Sequence, residues 1–274
     1  MLLLEPFQYD FMIRAFSAGL IIGVIAPLVG IFLVVRRYSL MADTLSHISL
    51  LGVAIGVIFK VFPYLSAILL STIAAVGIEK LRTTRKIFGE SVLSLFLSGS
   101  LALAIVIISL FPGTNINIYS YLFGSITTVT QEEIVVIFGF GVTIVLAVFI
   151  FFKELFFISF DEELARVNGL PVTLLNFGLV ILAALTVSVA MRAVGILLIG
   201  ALMVIPVVTA FQYARSFTQA VIVSVFFSLI SVVMGLYLSY YYNVASGGMI
   251  VLIALAIFVL SLILPHPVHV GHRK

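Results

Sequence analysis

The 274-residue chain contains no cysteine and no tryptophan, and charged side chains make up only 9% of it. Without cysteine there is no disulfide, no thiolate metal ligand and no thiol nucleophile, so a metal met by this chain must meet oxygen or nitrogen. Histidine is scarce as well: of the four present, only His47 precedes residue 266. None of the five lysines follows a glycine, which excludes the G-x-x-x-x-G-K-[ST] phosphate loop and an intrinsic ATPase of that type. H-E-x-x-H and G-x-S-x-G are also missing, so an intramembrane protease has no support and no catalytic residue is assigned. The low charge has a counterpart. Soluble domains are about 45–50% apolar and about 25% charged, whereas this chain is 63% hydrophobic with a mean hydropathy of +1.35. That surplus predicts a single membrane domain, residues 1–274, solvated by lipid.

Crossing the hydrocarbon layer takes about 20 mostly apolar residues. Nine stretches qualify, near residues 11–35, 40–59, 62–79, 91–111, 131–152, 172–191, 194–212, 217–240 and 247–264. The expected fold is therefore all-α, a polytopic membrane protein of about nine transmembrane helices. MRAVG, between the sixth and seventh stretches, is very short. A break inside one longer or re-entrant element would lower the count to eight. Pro27 and Pro206 fall within spans, where each bends its helix. No internal repeat or low-complexity segment is visible. The N-terminal MLLLEPFQYDFMIRAF has Glu5 and Asp10 and no basic n-region, unlike a removable signal peptide.

The net charge of +3 comes from basic residues scattered over short loops with no stripe suited to nucleic acid. Alternate threading places Arg36, Arg37, Lys80, Arg82, Arg85, Lys86, Lys153, Arg166, Arg215, Arg273 and Lys274 on one side, and only Arg14, Lys60 and Arg192 on the other. The positive-inside rule then predicts an external N-terminus and a cytoplasmic C-terminus.

Residues 36 to 56, RRYSLMADTLSHISLLGVAIG, carry the densest chemistry. Asp43 and His47, four residues apart, lie about 40° from each other on one helix face, with Gly52 and Gly56 on the opposite face. The glycines suit close helix packing, while carboxylate and imidazole suit zinc or manganese. An ionised aspartate in a span costs at least about 2.5–3.5 kcal/mol and needs a partner. Two readings stay open on spacing alone: a metal pair, or Asp43 as a helix cap or partner of Arg36 or Arg37, with His47 bonded to a backbone carbonyl. The stretch KELFFISFDEELARVNGLPV, which holds the loop 153–170, predicts a short helix over Asp161 to Val167 with acidic residues at its start, stopped by Gly169 and Pro171. Such a helix fits either a docking surface for a soluble partner or an interfacial position on lipid. His266, His269 and His272 in PHPVHVGHRK are candidates for collecting a metal.

With these residues in view, the chain resembles the ABC-type zinc and manganese importer permeases. RRYSLMADTLSHISLLGVAIG is similar to the family's Arg-rich turn, Asp, three residues, His and glycine-spaced helix. FDEELARVNGLPV resembles its cytoplasmic coupling segment, and AVGILLIGALMVIPVVTA its late glycine and proline pattern. DTLSHISL is closer to the zinc branch than to the manganese branch, where a DALSHAVLPG-like string is more usual. No internal loop carries the histidines common in some zinc transporters. The resemblance implies half of a dimeric importer domain in a bacterial inner or plasma membrane, a homodimer bound to two cytoplasmic ABC ATPase subunits and loaded by an extracytoplasmic metal-binding protein. It implies that Asp43 and His47 touch the transported Zn2+, or Mn2+ or iron, with no resident cofactor. It also implies that Asp161, Glu162, Glu163, Ala165 and Gly169 couple to the ATPase. A competing class is an ion-coupled secondary transporter, and a third a membrane scaffold in which the pair is structural.

Overall fold

The computed structural model describes residues 2–85, 89–111, 118–124 and 129–263. All regular structure among them is helical: α1 (Asp10–Val35), α2 (Leu40–Ile58), α3 (Pro63–Arg85), α4 (Gly89–Leu110), α5 (Ile118–Phe123), α6 (Gln131–Ile150), α7 (Phe152–Phe160), α8 (Glu162–Val167), α9 (Val172–Val194), α10 (Ile196–Tyr213), α11 (Phe217–Tyr242) and α12 (Ser246–Ile263). Among the described residues, eight helices are long and apolar enough to cross a bilayer, and the apolar stretch Leu198–Tyr213 of α10 is a shorter one. The chain is a polytopic helical membrane protein. His266, His269 and His272 lie outside the described residues.

Three of the expected boundaries move. The EKLRTTRK gap is not a loop at its start, because α3 continues to Arg85 and carries Glu79 and Arg82 on its last turns. The fifth stretch divides at Phe151, where α6 ends and α7 begins. The MRAVG connection is a true break. Gly195 stands between α9 and α10 at φ 97°, a left-handed conformation that glycine tolerates. A Cβ there would come within 2.5 Å of Gly124 N and of Phe123 C, so only glycine fits between α5 and the break. Pro27 and Pro206 are accommodated inside continuous helices, as neighbours in membranes permit.

The best buried spans are α1, α2 and α9, with 67%, 72% and 67% of their apolar windows inside, against 22% for α4 and 28% for α6 and α12. The first three therefore form the centre and the others face lipid. Since lipid is as apolar as leucine, close packing and polar contacts hold such a bundle. Small residues supply the first: a Cβ on Gly30 of α1 would run into the Met203 carbonyl of α10, and one on Gly52 of α2 would lie 2.6 Å from Ala67 Cα of α3. Hydroxyls supply the second, with Ser188 Oγ of α9 sitting 3.0 Å from Ser49 Oγ of α2 and 2.6 Å from Ser71 Oγ of α3.

Polar contacts also sort the two ends of the bundle. At one end, the α1–α2 turn, the C-terminal turns of α3, helix α8 and the start of α9 meet through Arg36, Arg82, Glu162 and Asn176. Phe32, Phe152, Phe156, Phe160 and Phe217 pack there too, with ring centroids 4.7–6.0 Å apart. At the other end Arg14 Nε donates to Val129 O at 3.0 Å, and exposed Tyr241 and Tyr242 end α11 as interfacial aromatics do.

Candidate metal site and the helix that could drive it

Helix α2 starts from a tight turn. Arg37 takes φ 60°, and the chain re-enters helix with Met41 N donating to Tyr38 O at 2.9 Å. Ser39 precedes the helix without a capping side chain, so Asp43 is not its cap. Asp43 and His47 are both half-buried and close enough to interact electrostatically. The Asp43 carboxylate lies on the backbone of Gly200 in α10: a Cβ added at Gly200 would overlap Asp43 Oδ1 and stand 3.0 Å from Asp43 Cγ.

The alternatives of helix cap and arginine partner find no support among the described residues. Arg36 turns away from Asp43, donating from Nη1 to Asn176 Oδ1 at 2.7 Å and from Nη2 to Glu162 Oε1 at 2.6 Å. Arg37 is exposed. His47 Nδ1 is buried with no hydrogen-bond partner, which is costly for a ring nitrogen that has left water. A carboxylate without a described cation and a buried nitrogen without a partner, one helical turn apart, form an oxygen and nitrogen donor pair suited to a borderline-soft dication. Among the described residues, no group of three or more His, Asp or Glu able to hold a metal occurs.

Gly52 and Gly56 sit on the other side of α2, against Ser66, Ala67 and Pro63 of α3, and Ser66 Oγ donates to Gly52 O at 2.7 Å. They fasten the helix whose far face carries the pair. Gly200 belongs to the site but is absent from the sequence-based set, because spacing within α2 says nothing about which helix faces it. The motif AVGILLIGALMVIP contained the signal, a glycine in the late spans, without naming its partner.

The segment 153–170 has its own layout. Asp161 caps α8, accepting from Leu164 N at 2.8 Å, and Gly169 at φ 79° ends the turn beyond it. Glu163 and Arg166 are exposed, as are Leu164 (50%) and Val167 (84%). Ala165 is wholly buried and seats α8 on the bundle, so it offers no surface to a partner. Glu162 also faces inward. Burial alone would raise its carboxyl, but the bond from Asn176 Nδ2 and the Arg36 and Arg82 guanidinium groups hold it below the usual glutamate range.

The arrangement is that of a helical permease with a polar pair at the start of one central span and a short amphipathic helix at the same end. The chain matches the ABC 3 transport family over residues 8–265 and belongs to it. It is similar to the high-affinity zinc uptake system membrane protein ZnuB of Haemophilus influenzae, at 33% identity over 93% of this chain and 98% of that one. It is likewise similar to the manganese import system permease protein ScaB of Streptococcus gordonii, at 34% identity over 93% and 91%. Among solved structures it resembles PsaBC from Streptococcus pneumoniae in complex with Fab, with a TM-score of 0.85, 33% identity and coverage of 96% and 94%. An inward-facing structure of a metal-chelate type ABC transporter shares the fold at 15% identity and a TM-score of 0.75.

Proposed function

We propose that this chain is the membrane permease of an ATP-driven importer of divalent metal ions, with zinc the first candidate and manganese or iron the alternative. The observation that carries the reading is the Asp43 and His47 pair, seated against Gly200 with neither a described cation nor a partner for Nδ1. The relatives named for zinc and for manganese transport support the substrate class without choosing between them. Two copies related by a two-fold axis would bring two carboxylates and two imidazoles to one ion, balancing its charge and completing a four-ligand shell. The ligands arrive on helices of different protomers. A change in protomer angle driven by ATP would therefore separate them and release the ion, as a transient transport site requires.

The permease lies in a bacterial cell membrane with its Arg-rich end in the cytoplasm, which follows from the bias of basic residues. There α8 presents Glu163, Leu164, Arg166 and Val167 to an ABC ATPase, and the opposite end accepts an extracytoplasmic metal-binding protein. The chain itself carries no phosphate loop, so hydrolysis belongs to the partner subunit. The test is reconstitution of the permease in liposomes with and without an ABC ATPase subunit. Metal movement that needs ATP and the ATPase supports the reading. Movement driven by an ion gradient without the ATPase would replace it with a secondary transporter.

A further inference from the structure

Glu162 belongs to the acidic start of α8 but does not face outward with it. Its Oε1 receives Arg36 Nη2 at 2.6 Å and the Asn176 amide, and lies 3.7 Å from Arg82 Nη2. Arg82 is gripped in turn by Glu79, through Nε at 3.0 Å and Nη2 at 2.7 Å. Both guanidinium groups lie over the Tyr38 ring, with its centroid 5.2 Å from Arg36 Cζ and 4.9 Å from Arg82 Cζ, within cation–π range. Two cations and two carboxylates balance, and the side chains of Arg36 and Glu79 are 5% and 1% exposed. The cluster draws on the α1–α2 turn, α3, α8 and α9, and Tyr38 lies in the turn that leads into α2, five residues before Asp43.

This cluster is a polar connection between α8 and the turn that leads into α2. Between the α1–α2 turn and the α7–α8 junction lies an unfilled cleft of about 270 Å³ lined by Val35, Arg37, Ile158, Ser159 and Phe160 beside Arg36, Tyr38 and Glu162. Ala165 and the phenylalanine cluster hold α8 and α7 to the rest of the bundle, and the Glu162 contacts tie α8 to Arg36 in the turn that leads into α2.

We propose that the Arg36–Glu162–Asn176–Arg82 cluster, together with Tyr38, is the mechanical link that carries displacement of α8 to the Asp43 end of α2. Glu162 thus acts inward on the ion site rather than outward on the docked ATPase. The link rests on the function proposed above. The Arg36 side chain of the pair is 5% exposed and that of Glu162 35%, so separating them strands the buried guanidinium. Movement of α8 therefore pulls Arg36 and Tyr38 along instead of breaking the contacts. Arg37, the exposed twin of Arg36, has no part in it.

The test uses the intact permease with its ATPase subunit and compares Glu162→Gln, which keeps the amide partner but loses the charge, with Arg36→Lys, which keeps the charge but loses the fork. Tyr38→Leu is a third variant in case either fails to fold, and Arg37→Ala is the control. Membrane abundance, recovery of the ATPase subunit, ATP hydrolysis and metal uptake are measured together. The link predicts normal recovery and hydrolysis with uptake per ATP reduced about tenfold in the three cluster variants, within the range of ordinary coupling energies, and no change in Arg37→Ala. Parental uptake per ATP in folded cluster variants overturns the link. So does loss of the ATPase subunit from Glu162→Gln, which would make Glu162 an outward docking residue. Failure of the function reading looks different: the parental permease would transport without recovering an ATPase at all.

Discussion

At the residue scale, the site depends on a side chain that is not there. Gly200 leaves the space in which the Asp43 carboxylate lies, so Gly200→Ala should push that carboxylate aside without removing a ligand. The expected result is a drop in metal uptake of about tenfold or more with the permease still in the membrane, because overpacking by one methyl costs about 1–3 kcal/mol and is spent on Asp43 itself. Uptake assayed against permease abundance decides it, and a parental rate would mean that the carboxylate does not work from this position. That Asp43 and His47 share one helix face was legible in the sequence, because an i, i+4 spacing fixes it before any tertiary structure is known. Their surroundings were not legible. That Arg36 turns to Glu162 while Arg37 stays in solvent depends on the positive φ at Arg37 and on α8 and α9 arriving from far along the chain.

At the scale of elements, α8 is a short helix held by three different devices, and each can be removed separately. Asp161→Ala deletes its cap and should cost about 1 kcal/mol. Ala165→Leu should lift it from the bundle, since the side chain it replaces is wholly buried. Leu164→Arg and Val167→Arg alter only the exposed face, and should reduce recovery of the ATPase subunit without lowering permease abundance. Glu162 gives α8 a pH dependence with a definite sign. Its folded carboxyl titrates below the ordinary value of 4.5, so the stabilisation it provides is fully present above that value. It is lost as pH falls through the depressed folded value. Hydrogen exchange of the α8 amides in the purified protein should accelerate only under such acid conditions, and Glu162→Gln should abolish that step. An unchanged acid profile in the variant would assign the protection to another group. The existence of α8 was readable from its acidic start and its Gly169 and Pro171 stop, yet its inward and outward faces were not. Six residues carry too little pattern to show which of them a neighbouring element will cover. The α9–α10 junction was ambiguous for a similar reason: MRAVG permits a short connection between two spans or a break inside one longer element, and the chain breaks at Gly195, where Phe123 and Gly124 approach closely.

At the scale of the whole molecule, hydropathy alone located the spans, since in lipid every backbone group must be satisfied within its own segment. The order in which the helices pack was hidden, because nearly all-apolar spans have no polar face to orient them. Glycine contacts and the Ser49–Ser188–Ser71 hydroxyls set that order. Ser188→Ala should therefore loosen α2, α3 and α9 together, at about 0.6–1.7 kcal/mol as interhelical hydrogen bonds in membranes go, read as a lower unfolding temperature in detergent. Orientation is accessible because the chain has no cysteine of its own. A cysteine at exposed Thr84 should react with an impermeant thiol reagent only after the cells are opened, and one at exposed Val244, at the other end of the bundle, should react in intact cells. The reverse pattern would invert the topology and place α8 away from any cytoplasmic ATPase.

The central claim is that Asp43 and His47 hold the transported ion, and it is tested most directly by zinc and manganese uptake in cells carrying Asp43→Asn or His47→Gln, normalised to permease in the membrane. These substitutions nearly preserve volume, so packing and dimer assembly should survive while the donor set does not. The account predicts normal membrane levels with uptake abolished in both variants, and loss of zinc uptake ahead of manganese would favour zinc as the cargo. Metal accumulation at the parental rate in both variants would make the pair structural and contradict the mechanism.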